Sequence, residues 1–282
     1  MTVLEAIQKS ADFLAKRGVE SPRLQTELLL AHLLKMPRMN LYLNFERALS
    51  TAETDSFREM IKRRGQREPL QHITGSVSFC GFEIAVNRHA LVPRPETEIL
   101  AELGWTFLST LNSATAWDLG TGTGCIAIAL AAKCAGAKIS ASDISPEALA
   151  LAKENAQKNL LQIEFLLGDG FAALPPQARF DLIISNPPYV PLAEIETLQP
   201  EVRDFDPRTA LDGGADGLDF YRRFAKQAGA FLKPNGKIMV EFGDGQAAAI
   251  RNIFENEKWI VEAVKDDYSQ RARILIATWK VS

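Results

Sequence analysis

The sequence is poor in cysteine and histidine, with three of each in 282 residues. An odd number of cysteines cannot pair completely, and none has a Cys-x-x-Cys or Cys/His zinc spacing. The composition therefore argues against a disulfide framework and against a structural zinc site. We expect Cys80, Cys125 and Cys134 to be idle or buried thiols in a reducing compartment, and we expect no metal.

The sequence also lacks an excess of positive charge and a long apolar run. Its net charge of −3 gives no general attraction for a phosphate backbone, so generic DNA or RNA binding is disfavoured. The longest apolar run near the start, residues 28–34, contains His32 and is too short to span a bilayer. No signal-peptide pattern is present. We therefore expect a soluble, cytoplasmic protein with no membrane or nucleic-acid partner.

The pattern of elements predicts three regions. Residues 1–72 have apolar side chains at helical spacing and a Ser50-x-x-Glu53 capping box, which predicts a small helical domain. Residues 73–94 alternate around a Cys-Gly pair, which predicts a connecting β-hairpin. Residues 95–282 alternate strands and helices, which predicts an α/β fold with a doubly wound, mostly parallel sheet.

Seven strands are predicted in this last region, at residues 114–117, 138–142, 163–167, 180–185, 237–242, 259–264 and 273–279. The helices between them are predicted at residues 126–133, 145–160, 220–232 and 246–255. In a doubly wound sheet, ligands bind at the carboxyl ends of the strands, so chemistry is expected there.

A glycine-rich stretch follows the first of these strands and begins a helix. Its spacing, Gly120-x-Gly122-x-Gly124, differs from the Gly-x-Gly-x-x-Gly of dinucleotide-binding proteins. Glycines allow a tight turn and the close approach of a ligand. Asp118, placed after the strand, offers a carboxylate that can bind an ammonium group. A purely structural glycine turn is the competing interpretation.

Two further acidic residues end the next two strands. Asp143 is placed to accept both ribose hydroxyls of an adenosine, and Asp169 to accept a hydrogen bond from the amine of adenine. Phe171 can lie against the adenine ring. Each has a structural alternative: Asp143 as a helix-entry residue beside Ser145, Asp169 as a turn residue, and Phe171 as part of the core.

The fourth feature, Asn186-Pro187-Pro188-Tyr189, ends the strand at residues 180–185. A residue before proline is kept out of the helical region, and proline donates no backbone hydrogen bond. The result is a rigid loop with free carbonyl acceptors, a side-chain amide and an aromatic ring. Such a loop suits a flat group that carries an NH2, although a simple proline turn explains the motif taken alone.

Together, these four features resemble the class I S-adenosylmethionine-dependent methyltransferases, and Asn-Pro-Pro-Tyr resembles those that act on nitrogens of planar groups such as adenine or glutamine amides. The N-terminal helical domain and the stretches 93–98 and 210–218 are similar to the HemK/PrmC family of peptide chain release factor glutamine methyltransferases. The same is true of Glu241-Phe242-Gly243 with Gln246. The resemblance covers essentially the whole chain.

The resemblance implies methyl transfer from S-adenosylmethionine to the side-chain nitrogen of the glutamine in the Gly-Gly-Gln motif of release factors, with S-adenosylhomocysteine as product. The implied cofactor contacts are Asp118, Gly120, Thr121, Gly122, Thr123, Gly124, Asp143, Asp169, Gly170, Phe171 and Asn186. The implied substrate contacts are Asn186, Pro187, Pro188 and Tyr189, of which Asn186, Pro187 and Tyr189 are catalytic. The helical domain is expected to recognise the protein substrate, and the chain to be a monomer.

One departure and three alternatives accompany this resemblance. Gly170 stands where many relatives have an aromatic residue, and Phe171 follows it. The alternatives are a glutamine methyltransferase of a ribosomal protein, an adenine amino methyltransferase, and a catalytically silent binding module. The net charge disfavours the second, and the intact Asn-Pro-Pro-Tyr and glycine motifs disfavour the third.

Overall fold

The structure is a computed structural model that describes residues 1–280. Its contacts divide the chain into two compact units. The first is Met1–Ser76 with Gln199–Phe205, and the second is Val77–Leu198 with the chain from Asp206 onward. The sequence does not predict that residues 199–205 join the first unit. The predicted boundaries at residues 72 and 94 stay a prediction.

The first unit is helical, as predicted. Its helices are α1 (Val3–Lys16), α2 (Pro22–Leu33), α3 (Arg38–Tyr42), α4 (Thr51–Gly65), α5 (Leu70–Thr74) and, from the distant segment, α9 (Pro200–Arg203). The predicted capping box is confirmed, because Ser50 accepts from Glu53 N and Glu53 accepts from Ser50 N. The core of the unit is formed by apolar side chains at helical spacing, among them Ile7, Leu29 and Phe57.

An ion-pair network holds the distant segment within the first unit. Glu201 accepts hydrogen bonds from Arg64 Nη2 and from Arg67 Nε and Nη2, at 2.6–2.7 Å. The Arg64 side chain is only 4% exposed and Glu201 is 18% exposed. A buried guanidinium requires such a partner, since an unpaired buried charge costs several kcal/mol, about 3–5 in measured cases.

The second unit is α/β. Its strands are β1 (Ser76–Phe79), β2 (Phe82–Ala85), β3 (Thr115–Leu119), β4 (Lys138–Asp143), β5 (Glu164–Leu167), β6 (Phe180–Ser185), β7 (Leu232–Glu241), β8 (Trp259–Asp266) and β9 (Ala272–Trp279). Its helices are α6 (Pro95–Leu108), α7 (Cys125–Lys133), α8 (Pro146–Lys158), α10 (Asp219–Gln227) and α11 (Ala247–Asn256).

The predicted hairpin and the seven-stranded sheet are both confirmed. Strands β1 and β2 form a two-stranded sheet, and the large sheet has the order β5-β4-β3-β6-β7-β9-β8. Strands β3 to β7 pair in parallel, and β9 is antiparallel to both of its neighbours. Strand order reverses between β3 and β6, which is where ligands bind in doubly wound folds.

Alternation along the central strands explains their continuous apolar sequence. Leu182 and Ile184 pack into the core on one face of the sheet, while Ile183 packs into the core on the other face. In the same way Ala116 and Trp117 point to opposite cores. Because helices cover both faces, all but one position of β3 and all but one of β6 are buried, and no polar alternation appears.

The predicted start of the strand β7 is wrong. The sequence predicts a helix to residue 232 and a strand from residue 237, but α10 ends at Gln227, a 3-10 turn continues over Ala228–Phe231, and β7 already begins at Leu232. Leu232 pairs with Phe180, and Lys237 with Leu182, so the extra residues between them bulge out of the ladder. Asn235, with φ +63°, lies in this bulge. The sequence Pro234-Asn235-Gly236 thus marks a bulge within β7 and does not mark the start of that strand.

Within residues 1–280, no helix is long and apolar enough to cross a bilayer. The three cysteines are free thiols. Burial raises the pKa of Cys80 to about 12, which leaves that thiol protonated at neutral pH.

Candidate active site

The carboxyl ends of β3 to β6 border a cavity of about 540 Å³, within the range of small-molecule sites. Its lining residues are Leu119, Gly120, Asp143, Ile144, Gly168, Asp169, Gly170, Asn186, Pro187, Pro188, Arg208, Thr209, Asp212, Phe220 and Arg223. All four predicted motifs contribute to it, through Gly120, Asp143, Asp169 and Asn186. The four motifs therefore lie together at the carboxyl ends of the strands, where the sequence predicts them.

A larger groove of about 970 Å³ lies at the opposite edge of the sheet. It includes Lys138 and Glu164, the first residues of β4 and β5, and several alanines of α7 and the turn that follows it. Ligands of doubly wound folds bind at the carboxyl ends of strands and not at these amino ends. We therefore place the candidate site in the smaller cavity.

The glycine loop leaves open space at the cavity and is tightly packed behind it. Gly120 lines the cavity at φ +73°, and a Cβ atom there would meet no atom within 4 Å. Gly124, at φ +83°, faces Ala152 of α8, whose Cβ would lie 3.1 Å from a Cβ built on it. The loop thus uses one glycine for the approach of a ligand and another for packing against a helix.

Asp143 is a helix-entry residue beside Ser145, as the structural alternative predicts. It also lies on the cavity, where it could accept the ribose hydroxyls. Its Oδ2 accepts from Gly122 N at 2.8 Å, and its Oδ1 accepts from Ser145 N at 2.9 Å. These bonds hold the carboxylate rigidly between the glycine loop and α8. Since each carboxylate oxygen has a second lone pair, both can still accept a hydroxyl hydrogen from the cavity.

Asp169 lines the cavity with a cation beside it. Arg223 Nη1 lies 3.1 Å from Asp169 Oδ2, and both side chains are about half exposed. An exposed pair of this kind is weak, roughly 0–1 kcal/mol. Asp169 can therefore turn to accept from a ligand amine. Nothing in the sequence distinguishes Arg223 from the other charged residues of α10.

The structure places Phe171 in the core beside the cavity and not on its lining, so its contact with the adenine ring stays a prediction. The side chain is 8% exposed and packs edge-to-face on Trp117, with ring centroids 5.2 Å apart. The short turn Gly170–Ala173 directs it into the core. Ile144 and Phe220 are among the apolar residues that do line the cavity, and Ile144 is 59% exposed. In the sequence, Ile144 could be recognised as an apolar residue between Asp143, which ends β4, and Ser145, which caps α8.

The position predicted for Asp118 is corrected, because it lies within β3 and not after it. It is fully buried; its Oδ2 accepts from Thr121 Oγ1 at 2.6 Å and from Ala127 N at 3.3 Å. Its Oδ1 has no partner among the described residues. Burial raises the pKa of Asp118 to about 7. Like the buried Thr121 and Thr123, it supports the glycine loop from below and does not line the cavity.

The Asn-Pro-Pro-Tyr loop places three of its four residues on the cavity. Asn186 Nδ2 donates to Thr97 Oγ1 at 3.1 Å, while Asn186 Oδ1 has no partner in the described chain. Pro187 and Pro188 line the cavity beside it. Tyr189 does not line it; its ring packs with the core, and its carbonyl accepts from Gln246 Nε2 at 2.9 Å. The contact of the Tyr189 ring with the substrate therefore stays a prediction.

The residues present fit an adenosyl group with a charged tail. Asp143 and Asp169 are acceptors for hydroxyl and amine hydrogens, Ile144 and Phe220 are apolar walls for a ring, and Gly120 leaves room for close approach. Asn186, Pro187 and Pro188 line the part of the cavity beside β6, and they remain available to a second ligand.

Two family models match this chain, the PrmC N-terminal domain over residues 5–75 and the methyltransferase small domain over residues 99–198. The release factor glutamine methyltransferase of Geobacter sulfurreducens is 43% identical over 253 residues, which cover 90% of this chain and 88% of that protein. The enzyme of the same name from Chlorobaculum tepidum is 38% identical and covers 94% of this chain and 93% of its own.

Among solved structures, a methyltransferase from Pyrococcus furiosus is similar in fold, with a TM-score of 0.53 and 20% identity over 71% of this chain and 90% of that one. The fold and the site define an S-adenosylmethionine-dependent methyltransferase with a Rossmann-like sheet. The chain belongs to the release factor glutamine methyltransferase family.

Proposed function

We propose that this protein transfers the methyl group of S-adenosylmethionine to the side-chain amide nitrogen of the glutamine in the Gly-Gly-Gln motif of a peptide chain release factor. The observation that carries the proposal is the state of Asn186. Its nitrogen is held by Thr97, and its oxygen is an acceptor without a donor among residues 1–280. A buried acceptor of this kind needs a hydrogen, and a glutamine amide brings two.

The amide nitrogen of glutamine is a poor nucleophile because its lone pair is shared with the carbonyl. In the described chain no histidine lines the cavity, so a strong base is not at hand. Positioning must therefore supply most of the acceleration. Asn186 Oδ1 and the Pro187 carbonyl would accept the two amide hydrogens, and these bonds strengthen as positive charge develops on nitrogen.

The cofactor would be held by the residues that line the strand ends of β3, β4 and β5. Asp143 would accept the ribose hydroxyls, Asp169 the adenine amine, and Ile144 and Phe220 would cover the ring. When bound, S-adenosylmethionine supplies an electrophilic methyl group on its sulfonium. The protein's part is to bind it, to exclude water and to aim the substrate nitrogen.

The decisive experiment is methyl transfer from labelled S-adenosylmethionine to a purified release factor, beside a copy whose motif glutamine is replaced by alanine. Label on the first alone establishes substrate and site. Ribosomal proteins and DNA, assayed in parallel, test the other acceptors. Label on either of them with none on the release factor would overturn the proposal.

A further inference from the structure

The end of β7 places an acidic residue beside Asn186. Ser185 pairs with Val240 in the parallel ladder of β6 and β7, so Asn186 and Glu241 are the next residues on two adjacent strands. Glu241 does not line the cavity and has no part in the mechanism above. Its side chain is 1% exposed, which is rare for a glutamate without a partner.

The group around Glu241 is short of hydrogen-bond donors. Both of its carboxyl oxygens, and Asn186 Oδ1 as well, are buried and lack a hydrogen-bond partner among residues 1–280. Thr97 and Asn186 stand close enough to lower the pKa of Glu241, although neither reaches the geometry of a full hydrogen bond to it. Three buried acceptor oxygens thus compete for the donors of two side chains, Thr97 and Asn186. A buried acceptor without a hydrogen-bond partner is unfavourable.

The charges that face Glu241 come from several elements. Glu96 of α6 raises its pKa and Arg273 of β9 lowers it, while burial, the largest cause, brings the pKa to about 7. Tyr189, whose pKa is itself raised by burial and by Glu241, also faces it. Tyr221 of α10 donates to the Glu241 backbone carbonyl at 2.7 Å. The carboxyl is therefore ionised at the upper end of the neutral range and protonated below it.

We propose that Glu241 is a positioning residue that fixes the side-chain amide of Asn186, with the nitrogen toward Glu241 and Thr97 and the oxygen left for the substrate. The inference rests on the proposed function of Asn186. An amide can turn by half a rotation and exchange its oxygen and nitrogen with little change of shape. A neighbouring carboxylate forbids one of these states, because it is an acceptor only and repels the amide oxygen.

Protonation removes this control. A neutral carboxyl carries an O–H, which can donate to Asn186 Oδ1 and occupy the acceptor that the substrate amide needs. The ionised form of Glu241 is therefore the active form, and kcat falls as the pH drops through the pKa of this group.

The test is Glu241→Gln, which keeps the shape and introduces a permanent donor. We expect kcat for release-factor methylation to fall roughly 10–100-fold, by analogy with residues that orient metal ligands, with the KM for S-adenosylmethionine unchanged. The loss of rate below neutral pH that we expect for the wild type should be absent in the variant. In an Asn186→Ala background, Glu241→Gln should cost nothing further, because the two residues act as one unit.

Glu96→Gln is the matched control. If Glu241→Gln does not fold, this variant still tests whether the ionisation of Glu241 controls kcat. Since Glu96 raises the pKa of Glu241, its removal should keep the kcat plateau and move the acid limb to lower pH. The inference would be overturned if the acid limb of the kcat profile were unchanged in both variants. It would also be overturned if Glu241→Gln lowered the rate further in the Asn186→Ala background. Absence of transfer by the wild type would contradict the proposed function itself, a result distinct from transfer with an unchanged pH profile.

Discussion

Gln246 joins two distant parts of the site by donating from Nε2 to the carbonyl oxygen of Tyr189 at 2.9 Å. Its Oε1 accepts from Gly243 N at 2.9 Å, so one side chain connects the end of the Asn-Pro-Pro-Tyr loop with the turn after β7. The sequence motif that contains Gln246 thus has a physical reason: it holds the Asn-Pro-Pro-Tyr loop against the turn that follows β7.

Replacing this clamp should weaken the loop. In Gln246→Ala the half-buried Tyr189 carbonyl loses its donor, which costs on the order of 1 kcal/mol. We expect a lower melting temperature and a reduced kcat, measured by calorimetry and methyl transfer. Gln162→Ala, at an exposed position, is the control and should change neither. A Gln246→Ala enzyme with unaltered kcat would show that the loop keeps its position without the clamp.

Asn186 should be the most sensitive side chain on the substrate side. By analogy with the loss of one oxyanion-hole donor, Asn186→Ala should lower kcat by roughly 10²–10³-fold. Thr97→Val removes the anchor of the amide nitrogen and a hydroxyl beside Glu241, but it leaves the Asn186 acceptor in place and should cost less. Single-turnover methylation with saturating cofactor measures both. Near-normal turnover of Asn186→Ala would refute the positioning mechanism.

Ile144 and Phe171 should separate cofactor binding from stability. Ile144 is exposed on the cavity, so Ile144→Asp should weaken S-adenosylmethionine binding in calorimetric titration while the melting temperature stays close to that of the wild type. Phe171 is in the core, so Phe171→Ala should lower the free energy of unfolding by about 3–5 kcal/mol. The reverse pattern would restore Phe171 as the residue that stacks on adenine.

Asp118 should make stability depend on pH. Its folded pKa is about 7 and its unfolded value is near 3.9, so the unfolded state releases its proton first as pH rises. The stability of the wild type therefore declines between about pH 4 and pH 7, relative to a variant that cannot ionise, by on the order of a few kcal/mol. Urea unfolding of Asp118→Asn and wild type at pH 4.5 and 8 should show this widening gap. An equal gap at both values would mean that Asp118 is ionised in the folded state.

The first unit exposes apolar side chains that suit a protein substrate. Leu43 is 84% exposed and Met39 is 64% exposed, both at α3. Leu43→Asp should raise the KM for the release factor and leave the KM for S-adenosylmethionine unchanged, because exposed apolar surface is lost from the first unit while the residues that line the cavity stay the same. Leu160→Asp, at another exposed leucine, is the control. Equal effects of the two substitutions would argue against α3 as a docking surface.

The sequence predicts the strand at residues 180–185 and the loop that follows it, since an apolar run and an Asn-Pro-Pro sequence act within a few residues of each other. It also predicts that acids at successive strand ends share an edge, because parallel strands end together. It does not predict that β7 begins at Leu232. That depends on pairing with Phe180, which lies 52 positions earlier in the printed sequence.

Local chemistry therefore determined most strands of the sheet, the glycine loop and the Asn-Pro-Pro-Tyr loop, because turns, caps and strand periodicity depend on neighbouring residues. Only the tertiary structure decided which side chains reach the cavity. Phe171 and Ile144 are both apolar and both follow a strand-end acid, yet one packs on Trp117 and the other is exposed. Likewise Glu241 acquires its place beside Asn186 from the register of two strands. Burial and register are properties of distant segments packed together.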